Sequence, residues 1–405
     1  MPEAVIVAHT RSPIGRAMKG SLKDIRADDL LTQIVASVLA DLPELDRDEL
    51  GDLILGCGLP GGEQGWNMAR RVAVQLGMDR LPGTTITRYC SSSLQSTRMA
   101  FHAIKAGEGT AYISAGVESV SSFVRGSSDH FPGTENPLFD GARERTAARK
   151  LSNAPWSDPR DEGLLPDVYL DMGETAENVA SVTGISRQRQ DEWAVRSQQR
   201  AEAATKRGHF ASEITAVTLA DGTVVSDDDC PRFGTTYEAV AGLRPVFREG
   251  GSVTAGNSCP LNDGAAALVV MSDVRARELG LTPLARILST GVTGLSPEIM
   301  GLGPIEATKQ ALERARMSVG DIDLAEINEA FAVQVLGSAD ALKLDEDKLN
   351  INGGAIALGH PFGMTGARIT GTLINNLRAE DKTIGLETMC VGGGQGMAML
   401  IERLA

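Results

Sequence analysis

Short apolar runs alternate along the chain with longer segments in which apolar residues recur every three or four positions. The runs "AVIVAH" (4–9), "DLILGC" (52–57), "TTITRYC" (84–90) and "TAYISAG" (110–116) predict buried strands, and 27–42 and 92–107 predict the helices among them. Residues 282–405 repeat the order: strand 284–293, helix 305–317, strand 321–328, strand and turn 349–360, helix 366–380 and a closing hairpin 382–404. Laid over each other, 84–119 and 349–389 agree element by element, and such duplication decides a fold. Cys90 and His360 then fall at corresponding turns, each just before a helix.

Residues 119–250 break the pattern with a polar stretch holding several Pro and Gly, then helices over 175–184 and 186–208, the second opened by a capping Ser186. This region reads as a loop domain inserted in the first half, covering the site and binding a large ligand, or as a solvated insertion without function. The alternation of strands and helices makes the chain a layered α/β protein, and at 405 residues with 42% apolar content it can bury more than one core. No run approaches the roughly 20 apolar residues of a membrane helix, so a cytoplasmic protein is expected. A net charge of −14 disfavours nucleic acid as a partner. The five cysteines lie far apart, without the paired spacing of a metal site, so no metal is expected and the thiols are read as reduced.

Four places carry candidate chemistry. Cys90 is either an inert core thiol or, with Ser91, Ser92 and Ser93 opening a helix behind it, a thiol at a helix N-terminus where the dipole favours thiolate. His360, held between Gly359 and Pro361, is placed to act as a base, although a turn histidine is as often a capping residue. Cys390 opens "CVGGGQG", whose glycines let backbone N–H groups approach a developing oxyanion or simply make a tight hairpin. The run lacks the spacing of a dinucleotide cradle. Asn328 and Glu329 end a buried strand, where they satisfy each other or a water.

Six strings in order, "CSSSLQS", "MGETAENVA", "VTAGNSCPLNDGAAAL", "NEAFA", "NGGAIALGHPFG" and "CVGGGQG", resemble the thiolase family over nearly the whole chain. The resemblance implies a thiolase fold: two similar five-stranded sheets in an α/β/α/β/α layering, with halves 1–118 plus 251–273 and 274–405 and a loop domain 119–250. It implies a self-associating chain, a dimer or tetramer. It implies CoA-dependent cleavage of a 3-oxoacyl-CoA to acetyl-CoA and a shortened acyl-CoA, degradative as in fatty acid β-oxidation, with coenzyme A as substrate and no permanently bound cofactor. Cys90 would be the acyl carrier, its thiolate favoured by His360, and Cys390 the acid and base at the α-carbon. His360 and a water on Asn328 would hold the enolate oxygen, and the N–H groups of Cys90 and Gly392 the thioester oxygen. Arg232 would meet the adenine and phosphate end of CoA, Ser252 and Ala255 the pantetheine, and Met172, Phe247, Ala330 and Phe331 the thioester. The basic run 142–150 offers charge for the 3′-phosphate or is a solvated face.

Four departures qualify this. Asp171–Met172 stands where enzymes that make acetoacetyl-CoA carry His–Met, which favours a roomier acyl pocket and weakens the biosynthetic alternative. Ser93 replaces the usual glycine and is expected to narrow the space near the acyl group. Cys259 replaces a pantetheine-side serine. Phe362, Met364 and Thr365 replace smaller residues and read as core packing or as lining of the acyl tunnel. A β-ketoacyl synthase would carry histidine or asparagine in place of Cys390, and a non-catalytic lipid- or CoA-binding relative would not need all these positions filled.

Overall fold

The computed structural model describes residues 2–126, 133–152 and 154–405. The first half runs β1 (Ala4–Arg11), β2 (Gly15–Arg16), α1 (Ala27–Ala40), β3 (Leu50–Cys57), α2 (Met68–Gln75), β4 (Gly83–Ile86), α3 (Ser92–Ala106) and β5 (Ala111–Ser119). Then come α4 (Val120–Gly126), α5 (Asp140–Ser152), α6 (Met172–Thr183), α7 (Arg187–Lys206), β6 (Val217–Thr218), β7 (Val224–Val225) and α8 (Tyr237–Ala241). The chain returns to the sheet as β8 (Asn262–Ser272), followed by α9 (Asp273–Glu278). The second half is β9 (Ala285–Gly294), α10 (Gly303–Ala315), β10 (Leu324–Ile327), α11 (Ala332–Leu342), α12 (Ala355–Leu358), α13 (Thr365–Ala379), β11 (Ile384–Val391) and β12 (Gln395–Arg403). Ser186 caps α7 as expected, its hydroxyl accepting from the Arg189 N–H.

The strand order β4-β3-β5-β8-β1 is answered by β9-β12-β11-β10. In both halves the outer pairs are parallel and the inner ones antiparallel. The two sets join through two antiparallel pairs, Val5 with Arg286 and Ile6 with Ala285, so the two expected sheets are continuous. Side-chain alternation then builds the layers. On β8, Ala265, Ala267, Val269 and Met271 pack under α1 and α2, whereas Ala266, Leu268 and Val270 enter a central core with residues of α3 and α13. On β12, Met397, Met399 and Ile401 face that same central core, and Ala398 and Leu400 face the α10 and α11 side.

Two expected strands are shorter than the apolar runs suggest. The run 84–90 leaves the sheet after Ile86, and Cys90 sits in a 3-10 turn, Tyr89–Ser91. Tyr89 at φ 43° makes the break, because a strand cannot continue through a left-handed residue. In 349–360 no strand forms: Leu349 makes a single parallel bridge to Ala325, where β4 pairs in the other half. Asn350 (φ 47°) and Gly353 (φ 80°) then turn the chain into the one-turn α12.

Candidate active site

The two duplicated turns meet because α3 and α13 touch at their first turns. A side chain on Gly366 would lie 2.3 Å from the Leu94 backbone nitrogen, so only glycine permits this approach. Beside it, the Ala367 N–H donates to Ser93 Oγ at 2.8 Å. Residue 364 supplies no side-chain cap to α13, so a hydroxyl from the other half caps it instead. Ser93 is therefore buried between the helices, with its hydroxyl turned to the α13 backbone.

Cys90 is buried, and the N–H groups of Gly392 and of Cys90 itself both address its sulfur. Burial pushes its thiol up to about 11, against these two N–H groups, while the Glu118 charge adds to the rise. Desolvation of the resting site thus works against the thiolate that the resemblance implies. His360 is also buried, and desolvation, helped by the Arg368 charge, holds it down to about 3. The resting pair is a neutral thiol and a neutral imidazole.

Hydrogen bonds settle the tautomer. Thr365 Oγ1 lies 2.7 Å from His360 Nδ1, and the Thr365 hydroxyl proton is committed to the Pro361 carbonyl at 2.7 Å. Nδ1–H must therefore donate to Thr365, leaving the Nε2 lone pair to accept from Asn328 Nδ2 at 3.3 Å. Asn328 Oδ1 is buried with no partner, a free acceptor beside the imidazole. Thr365, read from sequence as packing, is thus the residue that orients the base. Asn262 Oδ1 accepts from the His360 N–H at 2.9 Å and holds the turn from below.

Glu329 does not pair with Asn328. It turns away and accepts from Trp193 (3.1 Å), Ser197 (2.6 Å), Asn350 (2.9 Å) and the Ile356 N–H (3.0 Å), clamping α7 to the 350–356 turn. Asn328 alone faces the site.

Cys390 lies one residue before the end of β11, opposite Gly396, and Gly393 and Gly394 (φ 74° and 79°) fold the hairpin back. Gly392 packs against the Tyr89 ring, which brings the glycine hairpin over the Cys90 turn. Burial raises the Cys390 thiol well above its ordinary value, and the charges of Cys90 and Cys259 act in the same direction. Cys259 is raised by burial and then by Cys90, so it belongs to the same thiol group, a neighbourhood that sequence spacing did not indicate.

The residues expected along the thioester lie together. Phe247 stacks edge-on against Phe331 at 6.2 Å and covers Gly173, next to Met172. Ser258 bridges Phe331, and the Cys259 N–H donates to the Ala330 carbonyl at 3.0 Å. Ser252 donates its hydroxyl to Glu177 and accepts from Gln190, while Ala255 and the Arg232 side chain are exposed. In the basic run, Arg143 pairs with Glu135, Arg149 with buried Glu298, and Lys150 with Glu174, so much of its charge is engaged within the chain.

The description "Thiolase, N-terminal domain" matches residues 4–274, and "Thiolase, C-terminal domain" matches 281–403, so the two models meet at α9. The chain belongs to the thiolase family. Among curated thiolase-family proteins it is similar to the "3-ketoacyl-CoA thiolase" of Aeromonas hydrophila, 42% identical with all of both chains covered. It is 41% identical to the "Acetyl-CoA acetyltransferase" of Escherichia coli, again over all of both chains. The crystal structure of the Bacillus anthracis acetyl-CoA acetyltransferase matches with a TM-score of 0.87 at 38% identity, covering 100% of this chain and 99% of that one. Human mitochondrial 3-ketoacyl-CoA thiolase in complex with CoA matches at 0.85 and 35%, covering 100% and 98%. The thiolase fold expected from the motifs is thus the fold observed.

Proposed function

We propose that this thiolase is an acyltransferase that cleaves 3-oxoacyl-CoA with free CoA, giving acetyl-CoA and a shortened acyl-CoA through an acyl-Cys90 intermediate. The observation that carries this reading is the meeting of Cys90, with the Gly392 N–H on its sulfur, and the glycine hairpin bearing Cys390. The neutral resting pair supports proton transfer coupled to attack: Cys90 Sγ bonds to the 3-keto carbon as its proton passes to His360 Nε2. The C2–C3 bond then breaks, and the enolate of acetyl-CoA takes its proton from Cys390. In the second step the CoA thiol gives its proton to Cys390 and attacks the acyl carbon. The Cys90 sulfur leaves and recovers its proton from His360, restoring the start.

Two oxygens gain charge in this sequence. The unpartnered Asn328 Oδ1 supports a water held there, serving with His360 the enolate oxygen. The N–H groups of Cys90 and Gly392, already aimed at the sulfur, suit the thioester oxygen. The 119–250 insertion would cover the CoA, with Arg232 at its adenine and phosphate end, Ser252 and Ala255 along the pantetheine, and Met172, Phe247, Ala330 and Phe331 around the thioester.

Relatives under both names are about equally similar, so direction rests on Asp171–Met172, which favours 3-oxoacyl groups longer than four carbons or branched over acetoacetyl-CoA. Self-association through β4 is part of the proposal: β4 ends the sheet, and Trp66 (89% exposed) and Tyr89 (45%) flank it. The five cysteines are reduced, which suits the reducing cytoplasm, and no helix among the described residues is long and apolar enough to cross a membrane. The test is steady-state thiolysis across 3-oxoacyl-CoA chain lengths with wild type and Cys90→Ala. Folded, inactive Cys90→Ala and a preference for longer chains are expected; an active Cys90→Ala would refute the mechanism, and a preference for acetoacetyl-CoA the substrate assignment.

A further inference from the structure

We propose that Glu118 is a positioning residue whose ionised carboxylate locks the His360 turn to the turn that bears Cys90. Glu118 lies near the end of β5, wholly buried in an otherwise uncharged strand. Its Oε2 accepts from the Gly58 N–H at 2.7 Å and the Gly363 N–H at 2.8 Å. Its Oε1 accepts from Gln64 Nε2 at 3.1 Å and the Leu59 N–H at 3.3 Å, with the Cys57 thiol at 3.7 Å.

One carboxylate therefore joins two catalytic turns. The Gly58 carbonyl accepts from Thr87 Oγ1 at 2.8 Å, and Ser92 Oγ, which donates to the Tyr89 carbonyl at 2.7 Å, lies 3.3 Å from the Cys57 carbonyl, so the 57–59 turn meets both flanks of Cys90. Gly363 is three residues past His360, and between them Phe362 stacks edge-on to the imidazole at 5.2 Å. A side chain on Gly58 would come within 2.7 Å of Phe362 Cβ, so the two turns are in direct contact.

The four N–H groups on Glu118 are all donors and match the four acceptor positions of the anion; a protonated carboxyl would turn one of those positions into a donor facing an N–H. Of the titratable groups on the elements packed against it, Cys57 of β3 contacts Glu118 and Cys90 feels its charge, while the α13 turn it bonds through Gly363 carries His360 and the paired strand β8 carries Asp263. The Asp263 carboxylate accepts from the Ser121 N–H and hydroxyl instead. Burial raises Glu118 to about 7 in spite of its donors, so the lock opens on the acid side of neutrality. Its charge also raises the Cys90 thiol, so the same group that positions the pair holds back the thiolate.

That double action gives a signature that a purely structural role lacks. This inference rests on the reaction proposed above, and alkylation of Cys90 by iodoacetamide needs no turnover, so the two can fail separately. In Glu118→Gln, kcat for thiolysis is expected to fall about ten- to a hundredfold with KM changed by less than about threefold. The pH midpoint of Cys90 alkylation is expected to move down, making the less active enzyme the more readily alkylated one. A kcat within about twofold of wild type, or an alkylation midpoint that stays or rises, overturns the proposal. If Glu118→Gln does not fold, Gln64→Leu removes one donor, and the acid limb of the kcat profile should move to higher pH; an unmoved limb overturns it equally.

Discussion

His360 is assigned at both ring nitrogens by neighbours with fixed chemistry. Thr365 can only accept from Nδ1–H, because its own proton is spent on Pro361, and the Nε2 lone pair follows from that. Replacing Thr365 with Val keeps the shape and removes the acceptor, leaving a buried N–H unpaired at a cost of about 1–3 kcal/mol. The expected result is a lower denaturation midpoint together with a kcat loss greater than any change in KM; unchanged kcat would show that Thr365 does not orient the base. The sequence made Cys90, His360 and Cys390 legible, since each interrupts a pattern: a thiol before a helix, a histidine in a glycine turn, a thiol before a glycine run. It left Thr365 and Glu118 hidden, because their roles depend on contacts made five and 245 residues away. Glu118 left one trace, a carboxylate inside the otherwise uncharged strand "AYISAGVES".

Two helices carry the two halves of the site, and their first turns set its geometry. Gly366 permits the contact with Leu94, and Ser93 caps α13 from across the interface. Ser93→Ala should therefore cost about 1 kcal/mol of stability, as loss of an N-cap does, and leave the order of preference among acyl chain lengths unchanged. A shift in that order on the substrate panel would place Ser93 at the acyl group after all. Helix periods over 92–107 and 366–380 were readable to within a few residues, matching α3 and α13. The apolar run at 349–360 misled because Asn350 and Gly353 take left-handed backbone angles, and the Asn350 side chain bonds back to the Ile327 backbone and to Glu329. Nothing in hydrophobic period reports such a turn.

Across the whole molecule, duplication was readable because strand and helix periods recur in the same order, while the junction of β1 with β9 depends on only two residue pairs that no pattern marks. The central layer also buries acids: Glu326 is raised to about 8 by desolvation, with Arg368 opposing. The folded protein then holds a proton there that the unfolded chain releases above about 4.5, so this group's contribution falls as pH rises from about 4.5 to 8. Glu326→Gln, which keeps an acceptor for Asn376, should gain stability relative to wild type over that window, by an amount on the order of a few kcal/mol at its upper end. Denaturant midpoints at pH 5 and pH 8.5 check this; a difference that does not grow with pH contradicts it. The central claim is that Cys90 carries the acyl group. The most direct measurement is peptide mass spectrometry of the enzyme after brief reaction with a 3-oxoacyl-CoA and acid quench. The account predicts an acyl adduct on the peptide containing Cys90, released by added CoA as acyl-CoA; an adduct confined to Cys390 or Cys259, or one that CoA does not remove, would contradict it.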